Sequence, residues 1–447
     1  MKWLNSGISK ALLFLLLPLS AYFYLAYFYE RTQFQGLLCV LPFLAGSYLI
    51  TLFFQQGLNW KVLFAIGMLF RLTFLFSLPA LSDDFYRFLW DGILFQQDVD
   101  PYASLPSELT DLSGFQKLLL SKMNSPDYFS VYPPLLQYFF GLAAGFGSDS
   151  LLGSVLFFRL LIILAEVGSF FLLRKILTCL KLSRSRAFIY FLNPLVIIEL
   201  SGNLHPEAFW IFLFVLTIYL IIKQRWLSSG AAFAAAVLVK LMPLLFLPLL
   251  VKRLSRTSVW FLIAALGCTI LVCLPLIHLN TFLQLFDSID LYFRNFEFNA
   301  SVYYLLRGLG FQYLGYNPIQ YLGPLLGGLT AVLILFMQLR RGGDQWSTFF
   351  KRLLLSLSIY YLFAQVVHPW YLAPLVLLAC FQTFLFPILW SIVIFLSYHR
   401  YAEGVTEEHW GILLAEYLPL YVLLAYELTA GQPLWEGFKK KVFKLSG

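Results

Sequence analysis

Charge is what this chain has least of. Only 12% of its 447 residues are Asp, Glu, Lys or Arg, against roughly 25% in soluble domains. Hydrophobic residues make up 60% and the mean hydropathy is +0.78. A water-soluble globule could not be clothed with so few charges. A soluble enzyme, a nucleic-acid binder and a disordered scaffold are poor fits, and the expected solvent is a bilayer. Cysteine is also scarce. The five, Cys39, Cys179, Cys268, Cys273 and Cys380, form no CxxC pair and read as small core hydrophobes. There is no Walker A loop and no GxGxxG turn, so no nucleotide cradle is visible. HExxH is missing too, and no acids cluster at metal-ligand spacing. No cofactor is expected, and ligand spacing gives a divalent metal no support. No linker or low-complexity tract divides the chain, which reads as one membrane domain over residues 1–447.

What the chain does have is apolar segments near the length of a spanning helix, about 20 residues. They fall at 8–29, 36–54, 61–80, 151–173, 187–201, 206–223, 258–279, 321–339, 353–367 and 411–428. Segment 368–399 is long enough for two short spans. The net charge of +8 fits basic residues gathered in cytoplasmic loops, with no call for nucleic acid. With Lys2 and Lys10 inside, residues 81–150 form a first external loop, and 81–131 holds eight acids against three basic residues. Segment 132–147 then reads as an external juxtamembrane or re-entrant helix. Segment 229–251, with Lys240 and Pro243 at its middle, reads as two short helices meeting near Lys240; one tilted helix with a snorkelling lysine is the alternative. Residues 280–320 form a second external loop. The expected fold is an all-α polytopic membrane protein of about 12–14 transmembrane helices.

The segment SDDFYRFLWDGILFQQDVDPY, residues 82–102, is the most informative. On a helix starting at Asp83 or Asp84, the residues Asp84, Arg87 and Asp91 share a face. A cap needs one acid. Two adjacent acids followed by Arg and a third acid also suit a general base, its anchor, or recognition of sugar hydroxyls. A lysine inside an apolar hairpin is expensive, which makes Lys240 a functional candidate by default. Arg294 and Arg307 lie in the external stretch FRNFEFNASVYYLLR and could clamp a phosphate or simply border the membrane. His205 and Glu207 sit in the turn Asn203-Leu204-His205-Pro206-Glu207, which suits sugar or metal binding and equally a plain turn.

The pattern as a whole resembles the first external loop of GT-C glycosyltransferases. The likeness is greatest to the bacterial mannosyltransferase-like branch that uses polyprenyl-phosphate sugars. The matching text is Asp83-Asp84-x-Tyr86-Arg87-x-x-Trp90-Asp91-Gly92, then Asp100-Pro101-Tyr102, then Tyr132-Pro133-Pro134-Leu135. Phe88 stands where Tyr is commoner, Asp98 where Gly is, and Asp100 where Asn is. Lys240-Leu241-Met242-Pro243 resembles the family's K-x-x-P element, Phe296-x-Phe298-Asn299-x-Ser301 its F-x-F-N-x-S stretch, and His368-Pro369-Trp370-Tyr371 its PWY element. The resemblance implies a GT-C-like bundle with its active site at the outer face of a bacterial inner membrane. It implies Asp84 as catalytic base, with Asp83 second. It also implies substrate binding by Arg87, Asp91, Tyr132, His205, Glu207, Lys240, Arg294, Arg307 and His368.

The expected activity is transfer of a hexose, mannose first, from a polyprenyl-phosphate donor to a glycan or lipid acceptor outside the cytoplasm. The partners are that donor, the acceptor and membrane lipids. The alternative is a polyprenyl-lipid flippase or secondary transporter. It accounts for the spans and Lys240 but not for acids gathered in one early external loop, since transport sites lie near the midplane.

Overall fold

The computed structural model describes residues 7–55, 58–274, 296–342, 345–429 and 440, with side chains from Leu17 onward. Among these residues there is no strand. One isolated parallel bridge joins Phe298 to Val366. The helices are α1 (Gly7–Tyr27), α2 (Phe34–Phe54), α3 (Trp60–Leu72), α4 (Asp84–Gln96), α5 (Gly114–Lys122), α6 (Pro134–Gly147), α7 (Leu151–Cys179), α8 (Ala187–Phe191), α9 (Glu207–Ile222), α10 (Trp226–Val239), α11 (Leu247–Leu254), α12 (Ser258–Cys273), α13 (Val302–Leu314), α14 (Ile319–Leu339), α15 (Trp346–Phe363), α16 (Ala373–Ala379), α17 (Phe386–Val393) and α18 (Trp410–Thr429). The protein is an all-α polytopic membrane protein. Large apolar side chains face outward on its long helices: Leu266 is 63% exposed, Leu271 73%, Leu325 68% and Phe336 72%. Such a surface is costly in water and at home against lipid.

Five described helical stretches have the length and hydropathy to cross a membrane, or six if the broken pair Val196–Gly202 and Glu207–Ile222 counts as one span. They are Phe34–Phe54, Leu151–Cys179, Met242–Cys273, Ile319–Leu339 and Trp410–Thr429. Other apolar runs among the described residues form shorter or interrupted helices. Residues 369–401 form four short pieces, two of them α16 and α17. In segment 229–251, α10 stops at Val239 and Lys240 is extended, with φ −156° and ψ 135°. Pro243 enforces this break: its ring would strike the carbonyl of Val239, and it has no N–H to donate.

The chain packs as two compact units. The first comprises the described parts of Met1–Ser82, Leu173–His205 and Pro369–Gly447; the second those of Asp83–Leu172 and Pro206–His368. In the first, Tyr22 packs on Phe70 at 4.9 Å between centroids. The fully buried Arg71 donates from Nη1 to the carbonyls of Gly67 (3.0 Å) and Phe191 (2.9 Å). Glu427 accepts the backbone N–H groups of Leu385 and Phe386 at 2.9–3.1 Å, which caps α17.

In the second unit α4 lies on α6. Phe88 stacks on Phe140 with centroids 4.8 Å apart, and Phe158 of α7 closes the cluster at 5.7 Å from Phe140. Phe139 of α6 stacks on Phe209 of α9 at 4.3 Å. The α4–α6 contact explains the glycine of the Trp-Asp-Gly run. A Cβ on Gly92 would stand 2.2 Å from the carbonyl oxygen of Phe140. Backbone cannot yield as a flexible side chain can, so Gly92→Ala should destabilise the protein by about 1–3 kcal/mol or more. Thermal unfolding in detergent, compared with Gly46→Ala, which meets nothing within 4 Å, checks this.

Candidate functional site

The residues expected to form the first external loop fold as α4, α5 and α6, connected by residues 97–113 and 123–133. α5 is started by a capping box, Ser113 Oγ accepting from Gln116 N while Gln116 Oε1 accepts from Ser113 N. Asp98 takes φ +54°, where glycine is usual and Asp is tolerated. Asp100 Oδ1 accepts from Tyr102 N at 2.8 Å, a bond that asparagine makes equally well. Both departures from the family text are therefore at positions where backbone shape is the demand.

Behind the N-terminus of α4 is a buried polar knot. Arg87 Nε donates to Asp91 Oδ1 at 2.7 Å, and both side chains are almost wholly buried. Arg87 Nη1 donates to the carbonyls of Ser125 (2.9 Å) and Tyr128 (2.7 Å). Asp91 Oδ2 accepts from Ser130 Oγ at 2.5 Å and Gln137 Nε2 at 3.4 Å. Apart from the Arg87–Asp91 bond itself, each of these bonds crosses from α4 to residues 125–137, so the pair fixes that loop on the helix. Arg87 and Asp91 were expected at the substrate; the structure shows them gripping protein. Arg87 Nη2 is buried with no hydrogen-bond partner among the described residues.

In front of this knot stand the two acids that remain half-exposed, Asp83 and Asp84. Asp83 occupies the N-cap position of α4 without a side-chain capping bond. Asp84 Oδ1 accepts from Asn124 Nδ2 at 2.9 Å. Tyr132 is wedged against Phe88 (5.1 Å) and Phe140 (5.4 Å), and its carbonyl accepts from Tyr102 Oη at 2.6 Å. Burial holds the Tyr132 phenol well above its ordinary pKa, and the carboxylates of Asp84, Asp91 and Glu207 push the same way. Tyr132 thus lies within electrostatic reach of Asp84 from α4 and Glu207 from α9.

Glu207 is the first residue of α9, is 2% exposed, and forms an ion pair with Lys240. Its other oxygen, Oε2, is buried with no hydrogen-bond partner among the described residues. Lys240 reaches it from the break after α10 and keeps 29% of its side chain exposed.

A third wall comes from residues 296–301 and 362–368. Phe298 N donates to Gln365 O (3.0 Å), Val367 N to Phe298 O (2.9 Å), and Ser301 Oγ to Leu362 O (2.8 Å). The bridge sets Phe298 against the His368 ring, centroids 4.6 Å apart. Phe296 meets Tyr128 edge-on at 5.6 Å, which ties this wall to the loop held by Arg87. Burial, aided by the charge of Lys240, pushes the His368 pKa down from 6.5 to about 3. The imidazole is therefore neutral at physiological pH. The stability that depends on this is complete above pH 6.5 and is lost as pH falls towards 3, because the unfolded chain takes up the proton first. His368→Gln should unfold at a midpoint less sensitive to pH between 7 and 4 than wild type.

Two expected residues lie elsewhere in the described structure, and one lies outside it. His205 belongs to the first unit, 1% exposed, stacked on Trp370 at 3.7 Å with Nε2 3.6 Å from Glu199 Oε2. Its turn uses a π-helix, Val196–Gly202, and Leu204 at φ +64°. Glu199 also accepts from Asn203 Nδ2 (3.2 Å) and Tyr398 Oη (2.9 Å). The single turn read as carrying both His205 and Glu207 therefore contributes each to a different unit. Arg307 pairs with Glu297, whose carboxylate also takes Tyr303 Oη and Asn317 Nδ2, and Arg307 covers Tyr304 at 4.3 Å. Arg294 lies outside the described residues.

Sequence reasoning missed Ser130, Gln137 and Glu297. Gln137 alone carried a signal, an uncharged polar residue in the apolar run of α6. Among the described residues no group of three or more His, Cys, Asp or Glu side chains could hold a metal.

The second unit can thus present a half-exposed carboxylate, an ammonium and a buried acceptor within one body, which are the parts a group transfer onto a hydroxyl needs. No curated protein matches the chain. Residues 36–256 match the family model described as alpha-(1->6)-mannopyranosyltransferase, N-terminal domain. The matched stretch contains Asp83, Asp84, Arg87, Asp91, Tyr132, His205, Glu207 and Lys240, and it supports a GT-C-like mannosyltransferase family for this membrane protein.

Proposed function

We propose that this protein transfers a hexose, mannose first, from a polyprenyl-phosphate donor to a glycan or lipid acceptor on the outer face of a bacterial inner membrane. The observation that carries the reading is the contrast among the acids of α4. Asp91 is buried and committed to Arg87, Ser130 and Gln137, whereas Asp84 stands half-exposed beside Asn124, within reach of Tyr132.

In this reading the acceptor hydroxyl attacks the anomeric carbon and gives its proton to the Asp84 carboxylate. The bond from that carbon to the phosphate oxygen breaks, and polyprenyl phosphate leaves with the electron pair. A phosphate leaving group needs charge compensation more than a proton. Lys240, held at the edge of the site by Glu207, supplies that charge. The buried Glu207 Oε2 accepts from a sugar hydroxyl, since a buried acceptor calls for a donor. Asp83 orients the acceptor, and Arg87 and Asp91 position the loop that carries Tyr132. Direct displacement inverts the anomeric centre.

Purified protein supplied with either polyprenyl-phosphate mannose or nucleotide-linked mannose tests the donor. Mannose should reach the acceptor from the lipid donor alone. Equal transfer from the nucleotide sugar would reject the reading.

A further inference from the structure

Two aromatic rings at the walls of the site are left partly uncovered. Tyr128 is 36% exposed and Phe296 38%, and they meet edge-on with centroids 5.6 Å apart. Phe88, Phe140, Phe158 and Phe209 of the same unit are buried. The backbone under each exposed ring is held. Arg87 Nη1 donates to the carbonyl of Tyr128 at 2.7 Å, and Arg87 follows Asp84 by three residues on α4. Beside Phe296, the Glu297 carboxylate takes Arg307, Tyr303 Oη and, at 2.7 Å, Asn317 Nδ2. Phe298 is fixed by its bridge to Val366 and by the His368 ring. A ligand therefore meets a pre-ordered pair, and binding costs less ordering.

The turn that carries Tyr128 is polar. Asn124 and Asp127 are exposed on it, and Asn124 Nδ2 reaches Asp84 Oδ1 at 2.9 Å. A carboxylate is expensive in hydrocarbon, so Asp127 argues that the rings beside it meet a hydrated ligand and not lipid tails. Ring surface next to polar oxygens suits a hexose. A pyranose has an apolar patch of C–H bonds that packs on an aromatic ring, and hydroxyls around its rim that donate to neighbouring oxygens.

The place of Asp84 decides which sugar this is. The base stands where the acceptor hydroxyl must arrive, and the Tyr128 turn is joined to it through Asn124. Lys240, which offers charge to the donor phosphate, belongs to the wall made by Glu207.

We propose that Tyr128 and Phe296 form the acceptor subsite, and that the acceptor is a glycan whose terminal pyranose packs on these rings; this rests on the transfer reading above. Asn124 and Asp127 offer oxygens to the hydroxyls of that sugar, which leads one of them to the Asp84 carboxylate.

The test uses the full chain purified in neutral detergent, with polyprenyl-phosphate mannose and a mannobiose-terminated acceptor. Tyr128→Ala and Phe296→Ala should each raise the acceptor KM about five- to tenfold, while the donor KM and kcat change less. Tyr128→Phe keeps the ring and should lose less than Tyr128→Ala. A wild-type acceptor KM in both alanine variants overturns the proposal, and so does a rise confined to the donor KM. A second measurement needs neither catalysis nor a variant. Free mannobiose should slow the nitration of Tyr128 by tetranitromethane in wild type, read by peptide mass spectrometry. Undiminished nitration at the highest soluble mannobiose concentration overturns the proposal. Protection of Tyr128 in a protein that transfers nothing from the lipid donor would reject the transfer reading and leave the sugar subsite standing.

Discussion

Asp84→Asn should lower the turnover of mannosyl transfer by about 10²–10⁴-fold, the usual contribution of a positioned general base. The substitution keeps the size of the side chain and an oxygen for Asn124 Nδ2, which now reaches Asp84 Oδ1 at 2.9 Å. It removes the negative charge and with it the basicity. The unfolding midpoint should therefore hold while turnover collapses. Asp83→Asn should cost less, because the role proposed for Asp83 is to orient the acceptor. Transfer by the two variants under saturating donor checks the assignment, and a larger loss in Asp83→Asn would move the base to that residue.

The largest effect on stability should come from Asp91→Ala. Removing one partner of a buried ion pair leaves the other charge uncompensated and costs about 3–5 kcal/mol. Here Arg87 would lose Asp91 at 2.7 Å, and Ser130 and Gln137 would lose their shared acceptor. Of the hydrogen bonds named above between α4 and residues 125–137, only the two carbonyl bonds of Arg87 are then left. A deep drop in unfolding midpoint is expected, with the activity lost in proportion to the folded fraction. Replacing Arg87 and Asp91 together by Met and Leu should recover part of the stability, since apolar replacements remove both desolvation costs at once. Stability close to wild type in Asp91→Ala would show that the pair does not hold the loop.

How far the sequence could be read depended on the range of each interaction. The helix beginning at Asp84 followed from local pattern, and so did the break after Val239 that presents Lys240, because Pro243 acts within one turn. The order of roles along α4 did not follow. Face-sharing suggested one cluster of Asp84, Arg87 and Asp91, yet the i, i+4 pair of Arg87 and Asp91 turns inward and leaves Asp84 in front. Which residues turn inward depends on Ser130 and Gln137, roughly 40 positions away, and no local rule connects them to Asp91. The same holds for Glu297, which claims Arg307 across ten residues. Asp98 and Asp100 looked like chemical departures until the backbone gave them turn duties. Hydropathy registers apolar runs but not the breaks inside them, such as those within residues 369–401.

Transfer breaks the sugar–phosphate bond and transport leaves it intact, and one measurement reads that directly. In proteoliposomes containing wild-type protein, polyprenyl-phosphate mannose and an acceptor, free polyprenyl phosphate and mannosylated acceptor are quantified together. They should appear in a one-to-one ratio, with neither formed by Asp84→Asn. Mannose still attached to its lipid but moved to the other leaflet, with no polyprenyl phosphate released, would contradict the account and mark the protein as a transporter of the lipid-linked sugar.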